Sequence, residues 1–127
     1  MSESNGSQIF IKEQKDKYGK LLFIEKVIKP DMKGEPDIFA IYKSMPVYAE
    51  AKLINTFSYR NLYPFKELQL DTLEERAKSG AMCIGLLYLE KQIRYLMYYD
   101  LEEFVDWNKA IPFSWEGLRE KWIECLK

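Results

Sequence analysis

A chain of 127 residues, 47% hydrophobic and 31% charged, has room for one domain with a sizeable core and is too short for two of ordinary size. Lys and Arg number 19 against 20 Asp and Glu, so a polyanion would have to be met by local segregation of charge, because the formal net charge of -1 supplies no bulk attraction. The absence of histidine removes His-based triads, imidazole zinc sites and His-metal nucleases together.

Cys83 and Cys125 lie 42 residues apart without a CxxC spacing, and the polar opening Met1-Ser-Glu-Ser-Asn-Gly6 has no leader character, so both read as reduced thiols of a cytoplasmic protein. The longest apolar run, Ala81 to Leu89, is about half of the roughly 20 residues that a membrane span needs.

Residues 1–7 read as a disordered lead-in to a single domain spanning 1–127. Two β-prone runs follow, Gln8 to Ile11 and Leu21 to Ile28, with Gly19 punctuating the polar stretch between them. Because Ile9, Phe10 and Ile11 have no apolar continuation at helical spacing, the pattern predicts a hairpin. Lys29 to Pro36, with two prolines and a glycine, reads as a loop.

A second hairpin is expected from Asp37–Tyr42 and Val47–Leu53, turning around Lys43-Ser44-Met45-Pro46. In its returning strand Val47, Ala49, Ala51 and Leu53 face one way and Tyr48, Glu50 and Lys52 the other. After a loop over 54–65, Leu70, Leu73 and Ala77 give the buried stripe of a helix from about Lys66 to Ser79, stopped by Gly80. Ala81–Leu89 is too continuously apolar for a surface strand and is expected at the centre of the sheet, with Ile93–Tyr98 returning beside it. Asp100–Trp107 reads as a short helix and Ala110–Phe113 as a link. Ser114 then caps a last helix whose Trp115, Leu118, Trp122 and Cys125 form a narrow stripe of coiled-coil type.

The second hairpin converts spacing into proximity. Asp37 opens one strand and Glu50 lies late in its partner, 13 residues on, so the turn brings two carboxylates together across the ladder. A bound Mg²⁺ or Mn²⁺ is the common remedy for such a pair, and it turns a bound water into a nucleophile for phosphodiester hydrolysis. Lys52, on the same face as Glu50, supplies a compact charge to orient that water or to stabilise the phosphorane.

Pro-Asp followed by Glu-x-Lys arises by chance in roughly one or two chains per hundred of this size. The bland alternative is a solvated strand face. Two neighbours favour chemistry. No acid lies between Glu50 and Glu67, where Lys52, Arg60 and Lys66 alternate with Phe57, Tyr59, Tyr63 and Phe65 as a phosphate-binding loop requires. Gln69 and Arg76 share a helix side away from the apolar stripe, where Gln69 can position a water or a phosphate.

Pro36-Asp37, Tyr48-Ala-Glu-Ala-Lys52, Tyr63-Pro-Phe-Lys66, Gln69-Leu70 with Leu73 and Gly80, and Lys109-Ala-Ile-Pro112 together resemble the PD-(D/E)xK nuclease superfamily, most closely the RecU-type Holliday junction resolvases, over about residues 35–113. The resemblance implies an α/β (α+β) restriction-endonuclease-like fold, a mixed central sheet flanked by helices. It implies that Asp37, Glu50 and the Ala51 carbonyl ligate Mg²⁺ or Mn²⁺, that Lys52 is the catalytic lysine and that Gln69 completes the site. Arg60, Lys66 and Arg76 are the expected DNA contacts.

It also implies a homodimer that nicks two strands of a branched DNA symmetrically, with Trp115-Leu118-Trp122 as a candidate dimer surface or, equally, core. A compact bacterial or phage-encoded version would fit. Members of that family begin with a helix bearing a glutamate near the site, whereas here the first 28 residues read as a hairpin, with Glu13, Glu25 and Glu35 as possible substitutes. Alternatives are a nuclease for other DNA structures and a DNA-binding or assembly module that has lost activity.

Overall fold

The computed structural model of the protein describes residues 3–27, 36–53, 67–89, 92–101 and 107–126. It begins with a helix, α1 (Glu3–Tyr18), where the apolar pattern predicts a strand. The turn of the helix that meets the sheet runs through Ser7, Phe10, Ile11, Gln14 and Tyr18, an i, i+3, i+4, i+7, i+11 stripe. Ser7 is buried, and Gln14 Oε1 accepts a 2.7 Å hydrogen bond from Trp115 Nε1. A buried serine and a glutamine with a tertiary partner therefore occupy positions that a search for apolar periodicity counts as gaps. The helix also starts inside the stretch expected to be a disordered lead-in.

Gly19, at φ +54°, ends α1 in the left-handed conformation that glycine adopts without strain. A short 3-10 turn then leads into β1 (Leu22–Lys26). The predicted second hairpin is present as β2 (Ile38–Tyr42) and β3 (Met45–Leu53), with a tighter turn than expected: Lys43 and Ser44 alone form it, both at positive φ. That is the two-residue geometry whose twist matches the strands it joins. Met45 and Pro46 thus belong to β3. The ladder to the next strand starts only at Val47, so the missing N–H of Pro46 costs no bond on that side.

The predicted helix is α2 (Glu67–Lys78), with Leu73 buried and Leu70 and Ala77 against the same cluster. It stops at Gly80, whose φ of +98° lets the Gly80 and Ala81 N–H groups donate back to Ala77 and Arg76. β4 (Met82–Leu89) is followed by β5 (Gln92–Met97). The expected link near Pro112 is instead a two-residue edge strand, β6 (Ile111–Pro112), paired to Arg94 and Tyr95. Proline is tolerated there because an edge position has no second partner to satisfy. The short helix expected over 100–107 falls largely on residues outside those described, as do the loop expected over 54–65 and all but the last residue of the loop expected over Lys29–Pro36.

All six strands form one sheet in chain order, antiparallel except where β4 runs parallel to β3. β4 is central, as its composition predicts. α1 and α3 (Trp115–Leu126) cover one face around Phe10, Trp115 and Leu118, and α2 covers the other around Leu73 and Leu87. Ser114 caps α3 by accepting from the Gly117 N–H at 3.0 Å. Trp115 and Leu118, expected as core or dimer surface, are core; Trp122 is half-buried and donates to the Gly80 carbonyl, while Cys125 is exposed. No helix among the described residues is long and apolar enough to cross a membrane.

The helix and hairpin readings of the N-terminal run differ in a measurable way. Ile9 is 45% exposed and Ile11 is 8% exposed, although a strand would put them on one face. Ile11→Ala should destabilise the protein by about 2–4 kcal/mol in urea unfolding, and Ile9→Ala by less than about 0.5 kcal/mol. Equal losses would contradict the helix.

Candidate active site

β3 ends in an alternation that sends Ala49 and Ala51 into the α1–α3 core and Tyr48, Glu50 and Lys52 toward the α2 face. The register pairs Ile38 with Ala49, so Asp37, one step before β2, stands opposite Glu50. The neighbour of Glu50 on the other side is Gly85 of β4, which has no side chain to crowd it. The two acids expected to meet are thus on adjacent strand ends.

The strand face is not solvated. Glu50 is 2% exposed and Lys52 9%. Lys52 Nζ lies 3.8 Å from Glu50 Oε1, and Gln69 Nε2, from the first turn of α2, donates to the same oxygen at 3.0 Å. Placing a carboxylate in such a site costs several kcal/mol before its partners return anything, so burial here rules out the bland reading of polar residues left outward. Gln69, which periodicity alone would leave as an exposed helix residue, is half-buried and fixes one carboxylate oxygen in place.

Asp37 is held by a different contact. The Ala51 N–H donates to Asp37 Oδ2 at 3.1 Å. Since N–H and C=O of one strand residue leave on the same side, the Ala51 carbonyl departs β3 toward Asp37 as well. Two carboxylates and a carbonyl are hard oxygen donors of the kind that Mg²⁺ and Mn²⁺ take, with water completing the shell. Among the described residues no group of three His, Cys, Asp or Glu side chains gathers closely enough to hold an ion, so the acids at the site are a pair.

Of the expected DNA contacts, Arg60 and Lys66 lie outside the described residues. Arg76 is half-buried, its guanidinium carbon 5.6 Å from the Tyr48 ring centroid in a cation–π contact. Its charge also bears on Cys83, although burial dominates there and pushes the thiol up to about 12. Cys83 is consequently a protonated core residue rather than a nucleophile.

Of the three acids weighed as substitutes for a helix glutamate, Glu13 lies on a helix. α1 is the N-terminal helix that the hairpin expectation denied, and it bears Glu13. Both Asp37 and Glu13 act electrostatically on the buried hydroxyl of Tyr88, at the end of β4, raising its pKa on top of the effect of burial. Of the other acids weighed, Glu25 is exposed on the edge strand β1 opposite Phe39, and Glu35 lies outside the described residues. Recognising α1 as a helix would have placed Glu13; nothing in the sequence marks Tyr88.

No protein-family model matches the sequence, and no characterised protein is similar to it in sequence at a significant level. The fold does have a counterpart. The structure of Hjc from Archaeoglobus fulgidus, a Holliday junction resolvase from an archaeal hyperthermophile, superposes with a TM-score of 0.63 at 19% identity, covering 83% of this chain and 94% of that one. The mixed six-stranded sheet with its three helices is therefore the nuclease-like α+β fold of that resolvase.

The ion pair has a direct test. Replacing Lys52 by Met removes the ammonium beside a buried carboxylate and should cost about 3 kcal/mol in urea unfolding. Adding Glu50→Leu should return most of that loss. A Lys52→Met variant as stable as the wild type would mean that Lys52 does not hold Glu50.

Proposed function

We propose that this protein is a metal-dependent, structure-selective DNA endonuclease of the PD-(D/E)xK kind, acting on Holliday junctions or related branched DNA and resembling the RecU-type resolvases in its order of motifs. The observation that carries the reading is the buried Glu50, clasped by Lys52 and Gln69 and facing Asp37, at the strand ends of a fold shared with a junction resolvase.

Asp37, Glu50 and the Ala51 carbonyl are the residues that would hold Mg²⁺ or Mn²⁺. When bound, the ion supplies an activated water and neutralises charge on the scissile phosphate. The chain does the positioning. Gln69 keeps Glu50 Oε1 from rotating, and the Ala51 N–H does the same for Asp37 Oδ2. Lys52 carries three donors on a charge that burial makes more effective than it would be in water, suited to orienting the attacking water or to meeting the charge that develops on phosphorus.

Arg60 and Lys66 are proposed to follow the phosphate backbone, and Arg76, over Tyr48, to reach it from α2. Two strands cut symmetrically need two sites, so a homodimer is part of the proposal; its interface is not the Trp115–Leu118 stripe, which the core of one chain already uses. The inactive-module alternative rests on the formal net charge of -1 and on the lack of an N-terminal helix bearing a glutamate; α1, which carries Glu13, speaks against the second ground and leaves the first.

Purified protein with Mg²⁺ should cut a labelled four-way junction in preference to flapped, nicked or linear duplex DNA. Asp37→Ala and Glu50→Ala should each slow cleavage by at least about 100-fold, and Lys52→Ala by about 100-fold to 1,000-fold. Junction binding in EDTA should survive all three changes. No cleavage by the wild type, or undiminished cleavage by Asp37→Ala, would sink the proposal, and equal cleavage of every substrate would remove its structure selectivity.

A further inference from the structure

The sheet face that carries Glu50 and Lys52 is only half covered. α2 packs over β3, β4 and the 3-10 turn after β5, while on the β1–β2 side Phe23 and Ile41 stand 52% and 40% exposed. The register draws this side into two rows across the strands: Phe23, Ile41 and Pro46 make one, and Glu25, Phe39 and Tyr48 the other. Their rings adjoin, with the Phe23 and Phe39 centroids 6.2 Å apart and those of Phe39 and Tyr48 4.9 Å. Together the rings, Ile41 and Pro46 expose on the order of 300 Å² of apolar surface, the size of the patches by which soluble proteins make contacts. A standard interface buries about 800 Å² per partner, a little over half of it apolar, so this patch is the centre of one and a polar rim completes it.

We infer that the β1–β2 half of this face binds a second copy of the chain, face to face, about a two-fold axis that runs parallel to the strands along β2. The choice of axis rests on the functional reading given above; the choice of occupant rests on charge and shape. The second row runs from an acid to a cation, from Glu25, exposed on β1, through Phe39 and Tyr48 to Arg76 of α2 over the Tyr48 ring. Its ends lie two strand spacings apart, about 10 Å. Rotation by 180° about β2 sets each copy's Glu25 over the partner's Arg76 and stacks the aromatic centre on itself, so the face is complementary to itself as an isologous contact requires. The five donors of Arg76 let it hold that carboxylate and still present an edge to a phosphate backbone. Shape agrees with charge. Packed sheets stand about 10 Å apart and a helix is about 10–12 Å thick, so α2 forms a step as deep as the partner's sheet. Its flank then meets the partner's β1, whose outer edge pairs with no other strand of the sheet. Nucleic acid fits less well, because Glu25 in the row would repel a phosphate backbone. An axis along the strands also keeps both acid-bearing strand ends at one end of the dimer, where two nicks in one branched DNA need them; an axis across the strands would put them at opposite ends.

Sedimentation equilibrium of the full chain in EDTA, without DNA, reads the contact apart from any activity. The wild type should be a dimer at roughly 50 μM. Phe23→Asp should weaken dimerisation at least about 100-fold, since the change enters the interface twice, and should keep the wild-type circular dichroism because Phe23 is exposed. Glu25→Arg alone and Arg76→Glu alone should each weaken the dimer by about tenfold or more, as each sets like charges together. An equimolar mixture of those two variants should dimerise as the wild type does, because the mixed dimer restores opposite charges at both ends of the row. The mixture decides the matter even if Phe23→Asp misfolds. A monomeric wild type overturns the inference, as does a folded Phe23→Asp that still dimerises or a mixture that gains nothing over its components. A Phe23→Asp that keeps its dimer and loses junction binding also overturns it, and gives the face to nucleic acid. A dimeric wild type that cuts no four-way junction sinks the functional reading and leaves the interface standing; a monomer that cuts one does the reverse.

Discussion

Burying a carboxyl group and an ammonium together at the end of a sheet is the constraint from which the rest of this structure follows. Glu50 is as inaccessible as the core residues beside it, so the fold has to supply what water would have supplied. Lys52 does so from two residues along the same strand, and Gln69 from the helix that returns the chain to β4. Gly85 opposite leaves the space in which the side chain lies. Shift β3 by one residue and Glu50 would point into the α1–α3 core, where Phe10, Trp115 and Leu118 offer it nothing. The turn at Lys43 and Ser44 fixes that register, which is why a tight two-residue connection far from the acids matters to them.

The same alternation divides the labour between the two faces of β3. One face is given wholly to packing, with Val47, Ala49 and Ala51 under α1 and α3. The other changes character along its length, from Tyr48 beneath Arg76 to Glu50 and Lys52 at the open end. α2 serves both regimes, since Leu73 seals the apolar half of that face and Gln69, one turn earlier, reaches the charged half. The parallel step from β3 to β4 makes this possible: a crossover helix must lie across the sheet it connects, and its first turn arrives near the end of the strand that precedes it.

Much of this was legible in the sequence because it depends on local rules. Period-2 alternation put Glu50 and Lys52 on one face, an unbroken apolar run put β4 in the middle, Gly80 ended α2, and Ser114 capped α3. What escaped depended on contacts between distant residues. α1 was hidden because Ser7 and Gln14 stand where apolar residues would have announced a helix, and Gln14 is suited to its position only by Trp115, which lies 101 positions later. β6 was hidden because two residues containing a proline carry no strand pattern, and it exists only because Arg94 and Tyr95 present an edge. The site followed the same division. Asp37, Glu50 and Lys52 could be named from spacing, whereas the burial that distinguishes them from a solvated strand face belongs to the tertiary structure.

A shared fold at 19% identity says how a chain is arranged and leaves open what it does, since one architecture hosts many chemistries. Here the fold likeness and the local energetics are independent observations. The superposition would be the same if Glu50 and Lys52 were leucines, and a hydrophobic pair of that size is often as stable as a buried ion pair or more so. Folding by itself therefore gives no reason for the charged pair or for a glutamine turned inward to support it. On the function proposed above, a site that holds a cation and meets a phosphate gives a reason for both. For an enzyme of the proposed kind, charge withdrawn from water would already be oriented when the substrate arrives, and the stability forgone in the resting protein would become electrostatic preorganisation during the reaction.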